Sequence, residues 1–292
     1  MKILRLASPL LLVGLLSCKG KDEDSAVDPA DIDTDTDVDD TGEPAAYAPD
    51  IYCPGDPSGA CDSNDGPLRV GAAALPITPT CFEDWIDLDA NAEWDSDVEV
   101  YRDCGCDRLC AEDDGYPGAD EGEGDGEFQA VWLAGFQNGR PATGVHDQLW
   151  ARAIVFDQGE TRVAIVALDL VGLFNHESER VRAELLSRGV EIDHLVMAAT
   201  HDHEGPDTVG LWGRTETRPG YDPAYLASVH QTTADAVEAA IADLRDVGTM
   251  SVGAVDIRDF HETQALNVVS DHRDPKIIDT KLSAARFQDT SG

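Results

Sequence analysis

The residues best equipped for chemistry lie in one stretch, Met197-Ala-Ala-Thr-His201-Asp-His203-Glu-Gly-Pro206-Asp207. It follows a short apolar run, His194 to Ala199, and precedes an irregular Gly-rich segment. That places it at the C-terminal end of a strand, where α/β sheets form their ligand crevices. In an extended backbone His201 and His203 point the same way, because side chains alternate with period two. Two imidazoles on one side can share a metal ion, or divide the duties of ligand and acid–base group. Neutral imidazole suits zinc, which lowers the pKa of a bound water to about 7. Asp202 and Glu204 are placed to orient the rings as hydrogen-bond acceptors. Polar loop histidines without a metal fit the same spacing, so the stretch alone leaves these readings open.

The elements that must hold this stretch are legible on either side of it. Val70 to Leu75 reads as an opening strand, punctuated by Pro76-Ile77-Thr78-Pro79. Leu149–Phe156 and Arg162–Leu170 read as a hairpin around Asp157-Gln158-Gly159-Glu160. Their near-continuous apolar character predicts strands covered on both faces. Asn175 is a candidate cap for a helix from about His176 to Ser187, stopped at Gly189. Asp222-Pro223 opens a longer helix to about Asp246, with Leu226, Val229, Thr233, Val237, Ile241 and Leu244 as its buried stripe. Thr249–Ile257 and Lys281–Phe287 read as further strands. Strands alternating with helices predict an α/β layered domain, a mixed central β-sheet flanked by helices, over 68–292.

The rest of the chain surrounds that domain. Met1–Ser17 has a basic start and an apolar core from Leu10 to Leu16, the pattern of a secretory signal. Leu15-Leu16-Ser17-Cys18 resembles the bacterial lipoprotein box. That resemblance implies lipidation of Cys18 and an exported protein tethered to a bacterial membrane, since two or more acyl chains anchor stably. Residues 19–50 read as a disordered acidic linker, and 51–67 as a Cys-containing lead-in. Residues 81–127 read as a Cys-rich acidic insertion, cross-linked for want of a core of its own. Its Asp113, Asp114, Asp120, Glu123, Asp125 and Glu127 are candidates for Ca2+, with a solvated acidic loop as the other reading.

The net charge is -37. Residues 21–50 hold twelve Asp/Glu against one Lys, and 82–127 hold eighteen against Arg102 and Arg108. Such polyanionic tracts exclude nucleic acid as a partner, because phosphate contacts need clustered Lys and Arg. Setting Cys18 aside leaves Cys53, Cys61, Cys81, Cys104, Cys106 and Cys110, an even set that suggests disulfides in an exported protein. Cys104 and Cys106 are too close to pair with each other.

The chemistry-bearing stretch resembles the Thr-His-Thr-His-Ser-Gly-Pro motif of the neutral/alkaline ceramidases. Val70 to Pro79, Gly144-Val-His-Asp-Gln-Leu-Trp-Ala-Arg-Ala153, Val166-Ala-Leu-Asp169-Leu, and Asp274 to Phe287 are similar to other segments of that family, in the same order. The resemblance covers about 68–80 and 131–292. It implies a zinc-dependent amidohydrolase acting on N-acyl amides of sphingolipid-like substrates. It further implies His201 as a zinc ligand, His203 as a catalytic residue, and Gly135 of Trp132-Leu-Ala-Gly135-Phe136 as a substrate contact. The family's other ligands, a His, a Glu and a Tyr, belong to later motifs without a match here, so the chain reads as an N-terminal fragment with little activity alone. Glu204 and Asp202 stand where the family has neutral hydroxyls, and no match to its Asn-Arg-Ser segment is found around Thr263-Gln264-Ala265. These departures leave the metal expectation standing and favour a zinc hydrolase of another amide or ester; the stalk and Cys-rich insertion keep a non-catalytic surface-binding lipoprotein as a further alternative. His146 reads as structural, His176 and His230 as helix-surface residues, and His261 and His272 as loop residues. Asp169 is a candidate to orient the metal site or cap its loop, and Trp212 to wall the cleft.

Overall fold

The computed structural model describes residues 66–256, 273–275 and 277–291. The signal segment, Cys18, the acidic linker, Cys53, Cys61, His261, Thr263-Gln264-Ala265 and His272 lie outside the described residues. Strands are β1 (Arg69–Pro76), β2 (Trp85–Ile86), β3 (Val100–Tyr101), β4 (Trp150–Gln158), β5 (Thr161–Leu168), β6 (His194–Ala199), β7 (Gly213–Thr215), β8 (Arg218–Pro219), β9 (Arg245–Asp256) and β10 (Lys281–Asp289). Helices are α1 (Asn175–Ser187) and α2 (Pro223–Ala242).

Six strands form a mixed sheet in the order β10-β9-β1-β4-β5-β6, antiparallel except for the parallel pair β5/β6. The α/β fold with a mixed central sheet is therefore as the sequence predicts. β4 and β5 are joined by the two-residue turn Gly159-Glu160, with Gly159 at φ +60°, which a tight hairpin requires of its first turn residue. β6 lies parallel to β5 because α1 carries the chain back between them.

Helix α2 begins as its sequence dictates. The Asp222 carboxylate accepts from the Ala224 N–H at 2.8 Å, and Pro223 occupies the first turn. It ends at Ala242, earlier than expected, because β9 starts at Arg245. Its buried stripe, Leu226, Val229, Thr233, Ala236, Val237 and Ala240, packs on β1 and β4. At Gly71 any Cβ would meet the Ala240 carbonyl at 2.0 Å, so glycine is what lets the helix lie directly on the strand. Helix α1 is capped by Phe174 without a side-chain bond. Asn175 is its first residue and donates to Glu179 at 3.1 Å, so the expected Asn175 cap is not formed.

The core gathers Ala151, Ala153, Val155, Ala164, Val166 and Leu168 from one sheet face, with Val181, Leu185 and the α2 stripe over them. The opposite face differs from the expectation of strands covered on both sides. There Ile165 is 41% and Val196 50% exposed among the described residues. Apolar residues on successive positions thus reflect two faces of which the helices cover one.

The insertion also differs. It contains the small β2–β3 pair and disulfides Cys81–Cys106 and Cys104–Cys110, so Cys104 and Cys106 each reach elsewhere, as their spacing requires. Yet it does build a core. Trp94 and Tyr101 meet Phe128 at ring distances of 4.7 and 4.9 Å, and Trp85 meets Trp94 edge-on. Fully buried Glu83 accepts from the Gly105 and Gln129 N–H groups. Burial is the main influence on Glu83 and pushes its pKa up.

Candidate functional site

β6 ends at Ala199, and two loops leave the parallel pair side by side. The N–H groups of His201 and Asp202 both donate to the Leu170 carbonyl, at 3.0 and 3.2 Å. His201 takes φ +65°, a left-handed conformation rare for a residue with a Cβ. The backbone is therefore not extended through the motif, contrary to the period-two reading. The imidazoles face each other nevertheless, with His201 Nε2 and His203 Nε2 3.3 Å apart and rings at 67°. They meet because the left-handed residue turns the chain, a feature that residue spacing alone does not encode.

The remaining ring nitrogen of His201 is committed. Its Nδ1 lies 2.7 Å from the Val171 carbonyl, which can only accept, so the proton sits on Nδ1 and the Nε2 lone pair faces His203. The site opens to solvent, with His201 exposed and His203 partly so.

A second loop forms the facing wall. Leu133 bridges to Pro206, Ala134 N–H donates to the Gly205 carbonyl, and Asp207 N–H donates to the Trp132 carbonyl. This pairing carries Gly135 onto the His203 ring. Gly135 has φ +78°, and a Cβ there would stand 2.4 Å from His203 Cγ and Nδ1. The residue expected to touch substrate thus borders the catalytic candidate. Phe136, at φ +55° and 70% exposed, stands edge-on to His203 at 5.1 Å.

Two contributors escaped the sequence reading. Buried Asp207 accepts from the N–H groups of Val209, Gly210 and Trp212, folding the loop that brings the Trp212 ring to 6.4 Å from His203. An Asp followed by a Gly-containing segment was the available signal. Arg140 donates to the carbonyls of Ala134, Gly135 and His203 and to both oxygens of Glu204. Nothing local announces that pairing.

The motif's acids do not orient the rings. Glu204 turns to Arg140 at 3.1 Å, and Asp202 accepts from the Glu204 N–H. Both line a cavity of about 700 Å³ with Leu149, Arg152 and Asp169, whose lining includes neither His201 nor His203. Asp169 does not reach the imidazoles either. It accepts from the Trp150 N–H and pairs with Arg152 at 2.7 Å, fastening β4 to the end of β5. His146 is exposed beside Asp147. His176 is half-exposed on α1, but His230 is buried rather than on a helix surface, 2.6 Å from fully buried Glu177.

For metal ions, the imidazole pair is the chemically apt set of nitrogens. The His201 Nε2 lone pair, set by the Nδ1 bond to the Val171 carbonyl, is the nitrogen free to take an ion, with His203 Nε2 3.3 Å away. Among the described residues, no third His, Cys or carboxylate completes a cluster with them. In the insertion the six calcium candidates do not converge. Asp113 pairs with Arg102, Asp120 holds the N–H groups of Cys106 and Asp107, and Glu123 accepts from Tyr116. Asp87, Asp89 and Glu99 do come within 4.8 Å of one another, oxygen ligands of the kind a hard cation takes. Both Glu99 oxygens already accept backbone N–H groups there. Cys104 and Cys110 near Asp113 are joined to each other and offer no thiolate.

Fold and site together define an α/β domain that presents an imidazole pair at the C-terminal edge of its parallel strands. No protein-family model matches the chain, and no curated protein matches it. Among solved structures it is similar to a neutral ceramidase from Pseudomonas aeruginosa, with TM-score 0.48 and 19% identity, and to a ceramidase complexed with C2, at 0.46 and 18%. Each similarity covers 78% of this chain, which spans 30% of the length of those ceramidase chains.

Proposed function

We propose that the chain is the metal-binding part of a zinc-dependent amidohydrolase of the neutral ceramidase type, acting on N-acyl amides with an apolar acyl group. The observation that carries this reading is the 3.3 Å approach of two Nε2 atoms, one with its lone pair fixed by the Val171 carbonyl. A bound zinc would supply Lewis acidity and a water of lowered pKa. His201 would hold the ion through Nε2, with the Val171 carbonyl fixing its tautomer. His203, whose Nε2 lies 3.3 Å from His201 Nε2, would move a proton at that atom between nucleophile and leaving amine. Exposed Phe136, at 70%, together with Trp212 gives the rim an apolar character suited to an acyl chain. Asp202 and Glu204 are turned from the imidazole face, and hydrolysis of another amide or ester stays the second reading.

The disulfides in the insertion fit an oxidising, exported setting. Among the described residues no helix is long and apolar enough to cross a membrane. Attachment through a lipidated Cys18 belongs to the proposal and would hold the domain beside lipid substrates.

An acid-rich chain gathers divalent cations diffusely, so bulk metal binding cannot test the site. Zinc titration followed by histidine side-chain 15N shifts can. We expect His201 Nε2 to shift saturably, His201→Ala to abolish the specific phase, and His203→Ala to retain it. Unmoved His201 resonances at millimolar zinc would sink the reading.

A further inference from the structure

We infer that Arg140 is the positioning residue of this site, fixing where the second imidazole stands relative to the first. The inference rests on the reading that His201 and His203 are the working groups. The Arg140 side chain is only 9% exposed, whereas its partner Glu204 is 67% exposed. Burying a guanidinium is costly unless its donors are used. Here they are used to join two separate segments. Nη1 donates to Ala134 and Gly135 carbonyls on the facing wall, at 3.2 and 3.3 Å, and to the His203 carbonyl on the motif, at 3.4 Å. Nη2 donates to both Glu204 oxygens at 3.1 Å. One planar group therefore spans the gap in which the His203 ring lies against Gly135.

The same guanidinium stacks over Phe136 at 5.0 Å, and Phe136 meets His203 edge-on. Phe136 and His201 both hold left-handed conformations that a bulky residue rarely adopts unless its surroundings enforce it. Arg140 supplies that enforcement for the wall through the flanking carbonyls. A lysine could offer the charge but not the fork that reaches carbonyls and carboxylate together. Glu204 then has a defined part: from a largely exposed position it accepts the Nη2 end of the fork, while the carbonyls hold the Nη1 end.

The test uses the full chain with Arg140→Met, Arg140→Lys and Glu204→Gln. In metal-free protein, 15N spectra should show His203 held in one tautomer. Both arginine variants should convert it to the averaged mixture of a free imidazole. Zinc binding at His201, which Arg140 does not touch, should stay close to wild type, separating a moved His203 from a lost fold. Glu204→Gln, which keeps the carbonyl bonds, should change the His203 spectrum far less. Should Arg140→Met fail to fold, Arg140→Lys decides. A folded arginine variant with an unchanged His203 spectrum overturns the inference. Absence of zinc binding in the wild type would instead overturn the metal reading, and the metal-free tautomer measurement would still judge Arg140.

Discussion

At position 135 a single methyl group separates the observed site from a disrupted one. Gly135 needs both its left-handed φ of +78° and the empty space that His203 fills. Gly135→Ala should therefore cost about 1–3 kcal/mol in denaturant unfolding, from backbone strain and displaced packing. It should also broaden the His203 ring signals. A stability change below about 0.5 kcal/mol with unaltered ring signals would mean that the wall and imidazole are not in contact. The residue types at 201 and 203 were legible as a pair of nitrogen donors. Their facing arrangement was reached for a different reason than alternation along a strand, since His201 leaves the extended region altogether.

The helices bring together groups that no single element contains. His230 on α2 is buried against Glu177 on α1, with His176 and Arg180 of α1 beside the carboxylate. Burial holds the His230 pKa below the usual histidine range. Glu177 pulls it upward, while Arg180 and His176 add to the depression. The unfolded chain then takes up a proton near pH 6.5 that the folded chain refuses. Stability contributed by neutral His230 is thus present above that pH. It is lost progressively as pH falls from 6.5 toward the depressed folded value. The thermal midpoint should drop between pH 7.5 and 5.5, and His230→Gln should remove part of that slope. Parallel profiles for the two proteins would contradict this. The sequence reading put His230 on a helix surface, and only the packing of α1 shows that it is enclosed.

Across the molecule, charge and cross-links are managed together. The insertion carries much of the net charge of -37, and its carboxylates are spent on backbone N–H groups and on Arg102 and Arg108. The Cys81–Cys106 bridge closes a separation of 25 residues, for which loop-closure entropy gives about 3 kcal/mol. Replacing both cysteines with serine should lower the thermal midpoint by several degrees. The aromatic cluster around Phe128 should be the first part to lose near-ultraviolet circular dichroism. An unchanged midpoint would show that the aromatic core alone holds the insertion.

The sequence by itself determined the α/β class, the hairpin at Gly159, the Asp222-Pro223 helix start, the even cysteine set and the identity of the two imidazoles. These follow from short-range rules: turn glycines, caps, apolar period and residue chemistry act over a few positions. Tertiary structure alone decided that one sheet face stays open, that His230 is enclosed, and that Asp202 and Glu204 turn from the imidazoles. It also decided the link from Arg140 to Glu204, 64 residues apart. Such contacts depend on how distant loops meet at the end of a sheet, and no local preference of the chain records that meeting.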